Sequence, residues 1–505
     1  MWVRLYSNDL RTVAHYLGVL TVGIAVTMLV PLVTAVALGE WDPALDYLVG
    51  IAAGLIIGVA LMLADVNPAG VNRRQGMLVA ALGWLAASLV AAVPLSLSGN
   101  YLSYFDALFD AISGFTTSGL TLAVDLDHMS NAHNMWRHLT HLIGGQGIVV
   151  AALSFAYGKR GGAVSLYTAE GRDEKILPNV MHTTRFIWFV TAVFVGLGTV
   201  ALSIFNLWSG MSVVRGSLHA FWITVAAYDT GGFAPQSMNA LYYHAPIFEF
   251  ITVLLMLAGT LNFNLHADIW RGDRGEMFEN IETRTLTVNI VVLSAFAAAG
   301  MAMAPLLNGP GEIVRKGLYH VISAHSGTGH QTLYPAQWEA TLAGGPFMAI
   351  VLAMAAGGAV SSTAGGIKAL RIGLIVKSVV DGVRRSLSPD SAVIRTRFHH
   401  LTDRVLTPEV SASAMTLFIL YFITYVSGAL VGAAYGYPAD AALFESISAT
   451  ANVGLSTGIT SVTMPQGLKA MYMLQMWAGR LEFLALFVLA FGIVTSILPG
   501  RRTRR

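Results

Sequence analysis

Four short stretches rich in Thr, Ser and Gly recur along the chain: Thr116-Thr117-Ser118-Gly119, Asp229-Thr230-Gly231-Gly232, Ser326-Gly327-Thr328-Gly329 and Ala451-Asn452-Val453-Gly454. The chemistry they offer is that of backbone oxygen. A glycine lets carbonyls point toward an axis with no Cβ in the way, and rings of carbonyls replace the hydration shell of a permeating cation. Taken singly, each stretch reads as a Gly/Ser turn outside the membrane. Recurring at equivalent places in four repeats, they are expected to close a ring, most simply an ion pore. The carbonyls of Thr117, Ser118, Thr230, Gly231, Gly327, Thr328, Asn452 and Val453 are the expected ligands. Thr116, Gly119, Gly232, Gly329 and Gly454 complete the expected filter.

Such turns need elements that carry them to membrane depth. Short apolar segments precede them at 105–115, 216–228, 313–325 and 440–450. At 1.5 Å per residue each reaches roughly 18 Å, well short of a hydrocarbon core of about 30 Å. Re-entrant half-helices are therefore expected. Lipid cannot satisfy irregular backbone, so the turns must line a wet cavity or be buried in protein. Each half-helix aims its C-terminal, partly negative end inward, and four such ends favour a cation.

Composition agrees with a membrane protein. Of 505 residues, 55% are hydrophobic and 11% charged, where soluble domains carry about 25% charged residues. With no cysteine there are no disulfides, thiolate metal sites or Cys nucleophiles. A net charge of +2 gives no nucleic-acid reading. The first apolar run is long and lacks a small-residue cleavage site, so no cleaved signal is expected. Spans are drawn over 14–37, 46–64, 76–96, 140–157, 186–207, 246–268, 286–306, 344–375 with a break, 408–432 and 470–498. These ten crossings put both ends on one side. Of 30 Lys and Arg, only Arg137, Arg215, Arg315, Lys316, Lys469 and Arg480 fall outside the segments on that side. The positive-inside rule makes it the cytoplasm. The expected layout is all-α: an N-terminal two-helix extension at 1–70, then helix–pore loop–helix repeats at 71–165, 175–275, 280–400 and 401–505, around a pseudo-fourfold pore.

Two further features sit mid-membrane. The stretch 357–366 holds four glycines (Gly357, Gly358, Gly365, Gly366) and three hydroxyls (Ser361, Ser362, Thr363), poor helix material inside an apolar run. It reads as a broken helix lining a cavity or as a small-residue helix contact. Arg480 lies within the last inner helix, where burying a charge is expensive. Glu482, two positions away, does not face it, so Arg480 needs a partner elsewhere or a wet cavity.

Other candidates carry less. His138 and His141 are spaced for metal binding but lack a third ligand, and read as structural or interfacial histidines. Asp106, Asp110, Glu249 and Glu445 either cap helices or concentrate cations at the pore mouth. Lys377, Arg384, Arg385, Arg395, Arg397 and Arg404 form a basic stretch suited to anionic lipid.

The motifs Ile112 to Gly119, Trp136-Arg137, Gly144 to Gly147, Asn262 to His266, Ser361 to Lys368 and Gly479 to Glu482 carry a resemblance. The chain resembles the Trk/Ktr/HKT potassium-transporter superfamily, most closely its bacterial TrkH-type branch, over nearly its whole length. The resemblance implies potassium uptake across the cell (inner) membrane through a channel-like pore, and no enzyme. It implies that 357–366, with Lys368, is an intramembrane gate beneath the filter, and that Arg480 projects into the pore as an electrostatic barrier. It further implies a homodimer and a cytosolic nucleotide-binding ring of the TrkA type. K+ is then the transported ion, and no organic cofactor is expected in this chain. Asp229, His325 and His330 depart from the family pattern, as does Ser361 where glycine is common. These titratable neighbours give footing to a rival, a symporter coupling potassium to protons or sodium. An intramembrane enzyme using His138 and His141 would instead hold metal.

Overall fold

Backbone in lipid has to bond to itself, and the long apolar runs do so as helices. The computed structural model describes residues 6–64, 71–147, 180–303, 309–333, 344–389 and 391–497. Among them, six helices are long and apolar enough to cross a membrane, or up to eight if each of two bent pairs is one span. The protein is an all-α, multi-pass membrane fold. The second half of the span expected over 140–157, the charges Lys159 to Lys175 and the C-terminal arginines lie outside the described residues.

The extension folds as Ser7–Thr27 and Leu29–Leu38 followed by Trp41–Met62. Small residues let these helices touch closely: a Cβ on Gly18 would lie 2.5 Å from the Gly58 carbonyl oxygen. Each repeat then has an outer helix, a half-helix, a turn and an inner helix. The outer helices are Arg73–Leu97, Val180–Trp208, Ile281–Met301 and Pro408–Ala434. The half-helices are Tyr104–Phe115, Val213–Tyr228, Pro310–Ser326 and Ala439–Thr450. Local chemistry sets the starts. Asn72 and Gln75 exchange side-chain and backbone hydrogen bonds at 2.9 and 3.1 Å to open the first outer helix. Ser103 accepts from the Asp106 amide to open the first half-helix.

The inner helices are less regular than the sequence suggests. Only the third was expected to break, and it does, as Gly345–Ala356 and Ala369–Ser386 around the loop. The second also breaks, as Pro246–Thr260 and Phe263–Arg271, with a 98° bend. The fourth, Gln466–Arg480 and Leu484–Ile497, bends by 115°. The first is Asn131–Gln146. Asn262 caps the resumed second helix by accepting from the Asn264 amide at 2.9 Å, a start signal inside an apolar run. The fourth turns at Glu482 and Phe483, both with positive φ.

A two-stranded antiparallel hairpin, Arg397–His400 with Thr402–Val405, interrupts the basic stretch and was not expected. His399 Nε2 meets Glu276 at 2.7 Å, and the Leu401 amide donates to Glu276 at 3.0 Å. The hairpin is thereby docked on the segment entering the third outer helix.

The carboxylates read as caps or mouth charges are ties between elements. Lys469 of the fourth inner helix reaches Asp106 of the first half-helix at 2.6 Å, both side chains 2% exposed. Arg315 of the third half-helix pairs with Glu249 of the second inner helix at 3.0 Å. Removing one member of a buried pair strands the other charge. Lys469→Met is expected to destabilise the fold by about 3–5 kcal/mol, and adding Asp106→Leu to recover most of that loss. Thermal unfolding in detergent micelles measures both; equal melting of Lys469→Met and the unsubstituted protein would remove the tie's structural role.

Candidate functional site

The four turns share one backbone. Counting back from the recurring glycines Gly119, Gly232, Gly329 and Gly454, the residue two before each has positive φ: Thr117 54°, Thr230 51°, Gly327 78° and Asn452 55°. The glycines are positive as well, at 78°, 74°, 76° and 89°. A β-branched threonine in this region is strained, and such strain persists only where its surroundings enforce it. The enforcement is visible. The amides of Ser118, Gly231, Thr328 and Val453 donate back to the carbonyls of Ser113, Ala226, Ser323 and Ser448 at 2.8–2.9 Å, locking each turn to its own half-helix.

The turns also lock to one another. A Cβ on Gly119 would lie 2.3 Å from the Gly231 oxygen, and one on Gly232 would lie 1.8 Å from the Thr328 oxygen. One on Gly329 would lie 1.9 Å from the Val453 oxygen, and one on Gly454 would lie 2.3 Å from the Ser118 oxygen. Each repeat thus abuts the next, and the fourth returns to the first, so the turns form a closed ring. Asn452 Nδ2 adds a side-chain link to Ser118 Oγ at 2.8 Å. From behind, the inner helices press glycine on carbonyl. Cβ atoms on Gly144, Gly259 and Gly479 would lie 1.8, 1.7 and 1.7 Å from the oxygens of Phe115, Tyr228 and Thr450. All expected filter residues are brought together here.

On one side the ring opens to a cavity of about 240 Å³ lined by its four glycines, with Gln236, Gln331 and Ser456 among the polar walls. The other side is constricted to about 40 Å³ among Trp84, Ser361, Lys368, Arg480 and Glu482. The loop 357–366 fills that side. The Ala359 and Thr363 amides donate to the oxygens of Thr260 and Gly259 at 3.1 and 3.2 Å, and Ser361 O accepts from the Phe263 amide at 3.1 Å. The break in the second inner helix frees these groups for the loop. Thr363 Oγ1 donates to Tyr228 O at 3.1 Å, and the Val360 amide donates to Glu282. Gly357, Ser361, Gly366 and Lys368 hold positive φ, and Lys368 Nζ bonds to Ala364 O. A Cβ on Gly365 would lie 2.1 Å from Ala451 O, which seats the loop tightly under the ring, and one on Gly358 would lie 2.7 Å from the Thr260 side chain of the second inner helix. Ser362 Oγ closes the loop on itself through Ala359 O at 2.6 Å.

Arg480 bonds its guanidinium tips to backbone oxygen. Nη1 donates to Thr363 O at 2.7 Å and Nη2 to Gly144 O at 2.6 Å, with the guanidinium 5.6 Å over the Trp84 ring. Glu482 pairs with Arg371 instead. The remaining candidates lie around the ring. Asp229 accepts from Gln146 Nε2 at 2.8 Å, and His330 Nδ1 meets Asn239 Oδ1 at 2.9 Å. His138 stacks on Trp222 and His141 on Phe233. Sequence reasoning missed Glu282, which anchors the loop, and Asn239, whose Nδ2 donates to Gly232 O at 3.2 Å. Neither sits in a recognisable motif.

A family model described as TrkH, cation transport protein, matches residues 48–496. An uncharacterized cation transporter of Methanocaldococcus jannaschii is 29% identical, covering 96% of this chain and 96% of that protein. A Trk system potassium uptake protein TrkH of Halomonas elongata is 28% identical, covering 95% and 98%. The crystal structure of the potassium transporter TrkH from Vibrio parahaemolyticus aligns with a TM-score of 0.81 at 22% identity, covering 95% of this chain and 99% of that one, a likeness of fold.

If Glu282 anchors the loop, Glu282→Ala leaves the Val360 amide without its acceptor. Hydrogen–deuterium exchange across 359–363 is expected to quicken by about tenfold. Unchanged exchange there would show that backbone contacts alone hold the loop.

Proposed function

The chain belongs to the TrkH family of cation transport proteins, and from that premise we propose that it takes up potassium through the ring of four turns. The observation that carries this is the cyclic contact of each glycine with the next repeat's carbonyl. In this reading the backbone oxygens face one axis, where they substitute for a cation's water. Relatives named as potassium uptake proteins support the choice of ion. The ligands are the carbonyls of Thr117, Ser118, Thr230, Gly231, Gly327, Thr328, Asn452 and Val453, and K+ is cargo.

Below the ring, loop 357–366 is the gate and Arg480 the charge a cation meets next. Their shared bond from Arg480 to Thr363 O couples them. Opening then requires the loop to leave the carbonyls of Gly259 and Thr260. The repeats divide at 71–165, 175–275, 280–400 and 401–505, behind an extension at 1–70, with both termini cytoplasmic in the cell membrane. The family resemblance supports a homodimer regulated by a TrkA-type nucleotide-binding ring. Its footing on this chain is the basic cytoplasmic stretch around Arg384, Arg385 and Arg404. A second reading, symport with protons or sodium, is favoured by Asp229, buried beside the ring against Gln146.

Uptake of potassium and sodium by a transport-deficient host, with and without the co-expressed ring, tests the function. A reversal potential that tracks potassium alone supports the channel, and one displaced by pH supports symport. In the same assay Gly454→Ser is expected to lower the potassium-to-sodium ratio by about tenfold or more, since its Cβ meets the Ser118 oxygen. An unaltered ratio would remove the turns from the permeation path. Deleting 358–365 or introducing Arg480→Ala is expected to raise flux several-fold above the closed level; equal flux would make both packing elements.

A further inference from the structure

Behind the ring, a second fourfold pattern involves none of the filter residues. Nine positions before each ring glycine stands a half-helix residue, and three positions after it stands an outgoing residue. In repeat one these are Asp110 and Leu122, and Asp110 Oδ1 accepts from the Leu122 amide at 3.3 Å. In repeat four Glu445 accepts from the Thr457 amide at 2.9 Å. In repeat three the acceptor is a histidine: His320 Nε2 accepts from the Thr332 amide at 3.3 Å. His320 Nδ1 donates to Lys316 O at 2.8 Å, which fixes the tautomer in which Nε2 is the acceptor. Three chemically different side chains, each separated by 12 residues from its donor, make one bond.

Repeat two is the informative exception. The acceptor position holds Ile223, which has nothing to accept with, and the donor position holds Pro235, which has no N–H. Both are buried. An acceptor is missing only where the donor is missing too. Helix capping does not predict this correlation, and neither does attraction of cations to the mouth. The outgoing segment of repeat two is held with the opposite polarity. Arg137 Nη1 donates to Ala234 O at 3.4 Å, while Arg137 Nε is held by Asp110 at 3.0 Å. Asp110 therefore braces two repeats.

We infer that Asp110, His320 and Glu445 are positioning residues that hold the strand leaving the ring against its half-helix, and so set the spacing of the carbonyls that discriminate between cations. The inference rests on the pore reading above. Widening one outgoing strand lets its glycine drift from the neighbouring carbonyl, and a ring loosened at one side fits a smaller cation less poorly.

Repeat three offers the cleanest test, because its acceptor is an imidazole that is neutral in this bonding pattern. His320→Ile leaves the Thr332 amide buried without an acceptor. His320→Ile with Thr332→Pro transplants the pair that repeat two already uses. Potassium and sodium uptake into vesicles holding purified protein gives the ratio, and detergent-phase melting reports folding. The single variant is expected to lose about tenfold in potassium-to-sodium ratio, and the double variant to return to within about threefold of the unsubstituted protein. A folded single variant with an unchanged ratio overturns the inference while leaving the pore reading intact, as does a double variant no better than the single. If the single variant does not fold, recovery of folded protein by the added proline supports the brace, and no recovery overturns it. Absence of uptake by the unsubstituted protein would overturn both readings.

Discussion

Everything in this structure answers to one constraint: non-helical backbone placed at membrane depth must bond to protein. The four turns meet it by dividing their groups. The amides of Ser118, Gly231, Thr328 and Val453 point back to their own half-helices. In the proposed pore, the carbonyls of the same segment are the unspent polarity available to an axis. The division depends on positive φ at alternate residues, and the ring then depends on glycine, since any Cβ at Gly232 or Gly329 would sit inside the neighbouring repeat's carbonyl. Local conformation and assembly of the ring are thus one requirement.

Charge is arranged by the same logic. Lys469 with Asp106 and Arg137 with Asp110 are buried pairs, and removing water from a lone charge would exceed what packing returns. The first pair joins repeat four to repeat one and the second joins the half-helix of repeat one to its inner helix, so these charges are consumed in holding elements together. Arg480 differs. Its guanidinium tips are satisfied by backbone carbonyls of Thr363 and Gly144. These bonds hold the guanidinium at the constriction that it shares with Lys368 and Glu482. The broken inner helices matter here, because an unbroken helix keeps its carbonyls for itself.

The parts of this plan that were legible in the sequence are those carried by residue type at fixed spacing. Half-helices too short to cross, turns with glycine at one recurring place and a glycine-rich break in the third inner helix were all readable. The breaks in the second and fourth inner helices were hidden because their flanks stay apolar. Asn262 alone, a capping residue inside an apolar run, signalled the second. Asp110 and Glu445 stayed open between capping a helix and drawing cations to the mouth, since a carboxylate near a helix end has several uses and only contact with Leu122 or Thr457 selects one. The hairpin at 397–405 eluded pattern reading because four-residue strands are too short to show an alternation.

The repeats are alike in backbone and unequal in side chain, and the inequality follows the loop. At the position two before the ring glycine, repeats one, two and four carry Thr117, Thr230 and Asn452, while repeat three carries Gly327. A Cβ on Gly327 would lie 3.4 Å from the Gly365 amide nitrogen and 3.3 Å from Asn452 O, tighter than most such contacts. The loop rises under the ring beside that turn, so a side chain there would compete with it. Thr230 keeps its side chain and uses it, donating to Thr363 Oγ1 at 3.1 Å. The loop therefore bears on repeat two through Thr363, on repeat three through Gly327 and on repeat four through Ala451, with Arg480 extending the contact to Gly144 of repeat one. A loop that bears on three repeats directly, and on the remaining one through Arg480, cannot move without changing the support of the ring. On this geometry, closure below and spacing above are two readings of one set of contacts.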